Sequence, residues 1–174
     1  VGAAPIQNIG AYGVEVSAFI HSVEHYDIEE GAFVTISGNE CLFGYRNSIF
    51  KHKLQGRAFI TKVNFRLPKH YSLVTHYGEL ASLCEPNMLD VYAKVVEIRR
   101  SKLPDPKFIG NAGSFFKNPV VAKEKATNIL EHFPDAPAYP QEDGQIKFAA
   151  GWLIEQCGFK GTSLGGVQCH PKQA

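Results

Sequence analysis

A chain of 174 residues, 44% of them hydrophobic, suits one or two domains with a sizeable core, and no apolar run in it is long enough to span a bilayer. A formal net charge of +1 removes the electrostatic argument for nucleic acid or an anionic membrane surface as partner. Cys41, Cys84, Cys157 and Cys169 show no CxxC spacing, so reduced thiols and no zinc site are expected, and Cys169 beside His170 lacks further ligands. The chain opens on Val1 rather than methionine, which leads us to expect a start further upstream.

Small residues and one proline crowd Gly2–Gly13. Such a segment suits backbone packed against a flat or phosphorylated ligand, and tight turns account for it equally. Val14, Val16, Ala18 and Ile20 alternate at period two and predict a strand over 14–20. Glu29-Glu30-Gly31 then turns into a second strand over 32–36, closing a hairpin. Gly44 breaks the alternation, and Tyr45, Arg46 and Ser48 follow closely. Arg46 offers a planar fork that holds a carboxylate through two hydrogen bonds, whether a ligand's or the protein's own. The clearest strand spans 57–67, with Phe59, Thr61, Val63, Phe65 and Leu67 on one side and Ile60, Lys62, Asn64 and Arg66 on the other. Pro68 ends it. A helix is predicted over 87–100, with Asn87 as N-cap and Asp90 in the first turn. Its expected buried face is Met88, Val91, Tyr92, Val95 and Ile98. Arg99, Arg100 and Lys102 gather at its end, where cations suit both the helix dipole and a bound diphosphate.

Pro104 and Pro106 make a stiff lead-in to Gly110-Asn111-Ala112-Gly113-Ser114-Phe115-Phe116-Lys117-Asn118-Pro119. The two glycines bring one hydroxyl, Ser114, to a bend, and the Phe pair is expected to anchor the loop in a core. A polar turn accounts for this loop as well as a presented hydroxyl does. Ala126, Ile129, Leu130 and Phe133 predict a helix ending before Pro134. A loop over 136–143, a turn at Asp143-Gly144 and a strand over 146–148 come next. A last helix over 150–157, ended by Gly158, is expected to bury Trp152, Leu153 and Cys157. Residues 161–166 read as a turn, and nothing in the sequence partners His170.

Several of these runs resemble the UDP-N-acetylenolpyruvoylglucosamine reductase family. They are Gly-Ala-Ala-Pro-Ile-Gln-Asn-Ile-Gly-Ala-Tyr-Gly at 2–13, Phe-Gly-Tyr-Arg-Asn-Ser-Ile-Phe-Lys at 43–51, Lys-Leu-Pro-Asp-Pro-Lys at 102–107, the serine loop at 110–119, and Ala-Ala-Gly-Trp-Leu-Ile at 149–154. The resemblance implies an α+β protein. Residues 1–103 would be the later part of a FAD-binding domain, and 104–174 part of a smaller α/β substrate-binding domain, with sequence missing at both ends. It further implies FAD as cofactor, NADPH as co-substrate, and reduction of the UDP-N-acetylglucosamine enolpyruvyl ether to UDP-N-acetylmuramate for peptidoglycan synthesis in the cytoplasm. Carried over residue by residue, Ser114 is the proton donor and Arg46 stabilises developing negative charge. Tyr45, Tyr77, Arg99, Lys102 and Asn118 meet the substrate, and Ile6, Ile9, Gly10, Tyr12 and Ile60 meet the flavin. Tyr77 falls in the tyrosine-bearing insertion of one type of the family. The family's catalytic glutamate and glycine-rich flavin loop have no match here, and Glu155 does not fit the glutamate's motif. A monomer is expected, with weak or no FAD retention by this chain alone. If the chain is complete as given, the alternative is a UDP-sugar-binding module without turnover.

Overall fold

The computed structural model describes residues 2–174 and divides into two compact units, the first ending at Val96 and the second running from Glu97 to Ala174. That boundary falls inside a helix, ahead of the sequence-based division at 103.

In the first unit a short helix α1 (Ala3–Ile6) precedes a small hairpin, β1 (Gly10–Ala11) with β2 (Val14–Glu15). Tyr12 and Gly13 turn it with φ of 54° and 81°, the paired positive values that two-residue hairpin turns require. The strand expected over 14–20 is therefore not formed as one piece. After β2 the chain makes a single 3-10 turn at Val16–Ala18, and the longer strand β3 (Ile20–Asp27) starts where the expected one was to end. It pairs antiparallel with β4 (Ala32–Ser37) and β5 (Ala58–Phe65) in the order β4-β3-β5. The hairpin turn lies where the sequence put it, because the Asp27 carboxylate accepts hydrogen bonds from the backbone N–H groups of Glu29 and Glu30.

Ile20, Val23, Cys41, Phe50 and Leu54 form the core beneath this sheet. Here β5 differs from its predicted facing. Ile60 pairs with His25 and Lys62 with Glu24, leaving Thr61 as the extra residue of a bulge. The bulge shifts the alternation, so Ala58, Ile60 and Val63 pack on the core, whereas Phe59 is 69% exposed and Phe65 and Leu67 also face outward. Two polar side chains are buried with the core face of β3. Asp27 is held by Arg57, and the His25 ring meets Phe50 edge-on at 5.8 Å.

Helix α2 (Met88–Lys102) begins on a reciprocal cap. The Asn87 side chain accepts from the N–H of Leu89 and Asp90, and the Asp90 carboxylate accepts from Asn87 N–H. Of its expected buried face only Ile98 is fully covered, and Met88 and Tyr92 are exposed.

The second unit holds an antiparallel sheet of β6 (Val120–Val121), β8 (Ile146–Phe148) and β7 (Ala138–Pro140) in that order. Strand β7 replaces part of the loop expected over 136–143, and Pro140 is tolerated because the strand lies at the edge. Helix α3 (Lys123–His132) sets Ala126 against Ala136 and Phe148, with Ile129, Leu130 and Trp152 around them. Helix α4 (Ala150–Gln156) half-buries Trp152 and Leu153 but leaves Cys157 exposed, contrary to expectation. A final hairpin, β9 (Ser163–Leu164) with β10 (Val167–Gln168), occupies the stretch expected to be a turn. No described helix is long and apolar enough to cross a membrane, and among the described residues no His/Cys/Asp/Glu group could hold a metal ion.

Candidate functional site

The first unit builds one buried polar cluster around Asn8, which is 1% exposed and has a φ of 42°. Its amide nitrogen donates to Glu15 Oε2 at 2.7 Å and to the Gly44 carbonyl at 3.1 Å. Its amide oxygen accepts from Ser17 N–H at 3.1 Å. One side chain thus ties the glycine-rich segment to the turn at Gly44–Asn47, whose end residues exchange two backbone hydrogen bonds of 3.1 Å. Asparagine is among the few non-glycine residues that accept such a φ readily. Asn in a glycine-rich run is the signal by which sequence reading could have found it, and did not.

Arg46 sits inside that turn with a φ of 52°, itself an uncommon conformation for a large side chain. Its guanidinium donates to the Asn8 carbonyl at 3.2 Å and to the Gly10 carbonyl at 2.7 Å, and it lies over the Tyr45 ring at 5.5 Å. Lys51 Nζ donates to the Arg46 carbonyl at 2.9 Å. Among the described residues no carboxylate pairs with Arg46, so its charge is held in place by neutral acceptors. Of the five N–H groups on a guanidinium, these carbonyls engage two. A Cβ on Gly10 would lie 2.9 Å from Glu15 Cγ, 3.0 Å from the Val14 carbonyl and 3.2 Å from Arg46 Nη1. Glycine there is a packing requirement.

Ser48, fully buried, donates to the Ile6 carbonyl at 2.7 Å and accepts from Phe50 N–H. This fixes the backbone of Ile6 while its side chain, like that of Ile9, stays exposed. Ile60 packs on the core, 3.9 Å from where a Cβ on Gly2 would lie. Tyr12 turns the first hairpin. Val74 and Tyr77 close over Gly13, and the Tyr77 side chain remains largely exposed. The structure therefore gathers Gly10 and Arg46 into direct contact, with Ile6, Ile9, Tyr12 and Tyr45 along the same two segments. A separate concavity of about 430 Å³ is lined by His25, Asp27, Val34, Leu54 and Arg57 among others. Its Asp27, Glu30 and Arg57 charges already satisfy one another.

In the second unit Ser114 is exposed, following Gly113 at a φ of 65°. The Phe pair does not anchor this loop in a core. Phe115 and Phe116 are 84% and 62% exposed and pack only edge-to-face on each other, at 5.1 Å. The loop is held at its ends instead. Asn111 Nδ2 donates to the Pro104 carbonyl at 3.3 Å, and Asn118 Oδ1 accepts from Ala150 N–H at 2.9 Å. Asn118 thereby caps α4, whose own N-cap, Ala149, has no side-chain acceptor. Arg99 is exposed and Lys102 half-buried at the end of α2.

Two units of antiparallel sheet and helix, one of which holds an arginine on backbone carbonyls, define an α+β protein. The sequence pattern of UDP-N-acetylenolpyruvoylglucosamine reductase, C-terminal domain, matches residues 105–174. Over the whole chain the sequence is 53% identical to the UDP-N-acetylenolpyruvoylglucosamine reductase of Pseudoalteromonas atlantica, of which it covers 50%. It is 51% identical to those of Neisseria gonorrhoeae and Escherichia coli, covering 52% of each. The crystal structure of the Thermus caldophilus enzyme of that name matches 99% of this chain and 47% of its own at a TM-score of 0.60 and 24% identity, a likeness of fold. The chain is thus similar along its whole length to UDP-N-acetylenolpyruvoylglucosamine reductases, and it spans about half the length of the curated relatives it matches.

Proposed function

We propose that this chain is part of an oxidoreductase that reduces the enolpyruvyl ether of UDP-N-acetylglucosamine to UDP-N-acetylmuramate, with FAD as cofactor and NADPH as co-substrate, in the cytoplasm. Residues 1–103 would belong to the flavin-binding part and residues 104–174 to the substrate-binding part. The observation that carries this reading is the Arg46 guanidinium, seated on the carbonyls of Asn8 and Gly10 with no carboxylate among the described residues at ion-pair distance.

The residues present fit a flavin. Ile6 and Ile9, 36% and 44% exposed, hang from backbone held by the Ser48 hydroxyl at Ile6 and by Ala4 and Val16 at Ile9, and they offer apolar side chains on which a flat ring system can pack. A bound flavin supplies the hydride that no amino-acid side chain can. Adding hydride to the distal carbon of an enol ether conjugated to a carboxylate leaves an electron pair delocalised onto that carboxylate. Arg46 opposes this charge with N–H groups already oriented, which makes the stabilisation larger as charge develops than before it. Ser114 then transfers its hydroxyl proton to the carbon bearing the ether oxygen, completing the addition of hydride and proton across the double bond, and the alkoxide left behind regains a proton from water. Tyr45, Tyr77, Arg99, Lys102 and Asn118 would hold the nucleotide-sugar portion, so that binding energy remote from the alkene positions it.

The test uses the complete gene product that carries this chain, reduced by NADPH without oxygen and then mixed with the enolpyruvyl UDP-sugar while flavin absorbance is followed. The reading requires bleaching by NADPH and recovery on adding the sugar. In Ser114→Ala, bleaching should be preserved and product formation should fall by about 10²–10⁴. Wild-type turnover in that variant would assign the proton to water or another group. Binding of the UDP-sugar without any flavin recovery would favour a binding module.

A further inference from the structure

We propose that Asn8 is a positioning residue for Arg46, with Glu15 as the carboxylate that orients the Asn8 amide; the proposal deepens the reductase reading and rests on it. Arg46 has two anchors, the carbonyls of Asn8 and Gly10, and both belong to a segment whose path is set by the Asn8 side chain. That side chain uses both ends. Its NH₂ spans Glu15 Oε2 and the Gly44 carbonyl, and its oxygen holds Ser17 N–H. Gly44 opens the turn that carries Arg46, so one amide fixes the acceptors of the guanidinium and the backbone it grows from. At 1% exposure these bonds are shielded from competing water. Glu15 leaves no freedom in the arrangement. A carboxylate only accepts, so it forces the NH₂ end of Asn8 toward itself and toward Gly44, and the oxygen toward Ser17. Gly10, which has no room for a Cβ between Glu15 and Arg46, closes the same unit.

Asn8→Asp separates this role from a general need for the residue. It keeps the shape, tolerates the positive φ, and still accepts from Ser17 N–H. It loses both donated bonds and sets one carboxylate against another. Adding Glu15→Gln restores a donor across that gap, leaving only the Gly44 bond unmade.

The experiment measures NADPH-dependent flavin reduction and sugar-dependent reoxidation separately in the complete gene product. Asn8→Asp should leave the first step within about twofold of wild type and slow the second by roughly tenfold or more. Asn8→Asp combined with Arg46→Lys should be no slower than Arg46→Lys alone, and Asn8→Asp with Glu15→Gln should regain much of the loss. Equal slowing of both steps, multiplying effects in the combination with Arg46→Lys, or no recovery with Glu15→Gln would overturn the proposal. A second arm needs no turnover. The ¹⁵N-labelled Arg46 guanidinium should give separate, slowly exchanging Nη signals in wild type and averaged ones in Asn8→Asp; unchanged signals would also overturn it. If wild type fails to reoxidise with the sugar, the reductase reading falls, and the guanidinium signals still decide whether Asn8 positions Arg46.

Discussion

Arg57 Nε lies 2.8 Å from one carboxylate oxygen of Asp27 and 2.7 Å from the other, joining the last residue of β3 to the residue just before β5. The remaining guanidinium nitrogens reach Glu29 and Glu30 at 2.7 and 2.9 Å, so one cation gathers the whole hairpin turn. Burial alone would raise the pKa of Asp27, but the Arg57 hydrogen bond and the N–H groups of Glu30 and Glu29 outweigh it and hold the carboxyl below its ordinary value. A carboxyl lowered in the folded state contributes stability that is present above its unfolded pKa of about 3.9 and lost as pH falls through the folded value. Asp27→Asn should therefore lower the denaturation midpoint at neutral pH by more than Glu29→Gln or Glu30→Gln, with the difference from wild type shrinking below about pH 4. A difference independent of pH would mean that packing, and not charge, accounts for Asp27.

Replacing Gly10 with alanine tests the tightest contact around Arg46. A methyl group there must displace Glu15, the Val14 carbonyl or the guanidinium, and such overpacking costs about 1–3 kcal/mol. Gly110 has open space at its Cβ position and no positive φ, so Gly110→Ala serves as the near-neutral control. Chemical denaturation of the two variants should separate them clearly; equal midpoints would show that the segment around Gly10 yields.

Asn118 was expected to meet substrate, and the structure gives its oxygen to Ala150 N–H. Asn118→Ala removes a capping acceptor and should cost about 0.5–2 kcal/mol, as lost N-caps do. Asn118→Asp retains the acceptor and should restore stability. A raised KM in Asn118→Asp at unchanged stability would assign the amide nitrogen to the substrate, and an unchanged KM would leave Asn118 as a cap alone.

Thiol chemistry should discriminate sharply among the cysteines. Cys41 is completely buried, and burial with the Glu40 charge beside it pushes its thiol up to about 11. Reactive thiolate is scarce there at pH 8, while Cys84 and Cys157 are exposed. Alkylation under native conditions followed by peptide mapping should label Cys84 and Cys157 promptly and Cys41 only after unfolding.

Much of the architecture was legible because local chemistry agreed with the final structure. Asp27 ahead of Glu29-Glu30-Gly31, Asn87 three residues before Asp90, and the spacing of Ala126, Ile129 and Leu130 each fix an element by short-range bonds or one packed face. The failures have a common cause in distant partners. Strand β3 was hidden because its inward side chains include His25 and Asp27, which are buried only by grace of Phe50 and Arg57 far along the chain. The grouping of Phe59, Val63 and Phe65 on one side failed because the bulge at Thr61 brought Val63 to the side of Ile60. At the site, Arg46 and Gly10 were found through family motifs, whereas Asn8 was passed over because its importance lies in three bonds to residues that no spacing reveals.

The posts at Asn111 and Asn118 bear on how cheaply the serine loop could be ordered. Each residue confined to a single backbone conformation costs roughly 1–2 kcal/mol in lost entropy, so a long free loop would consume most of a ligand's affinity on closing. With Asn111 tied to Pro104 and Asn118 tied to Ala150, only the residues between them remain to be stilled. Any ordering of the loop would therefore cost the entropy of those residues alone.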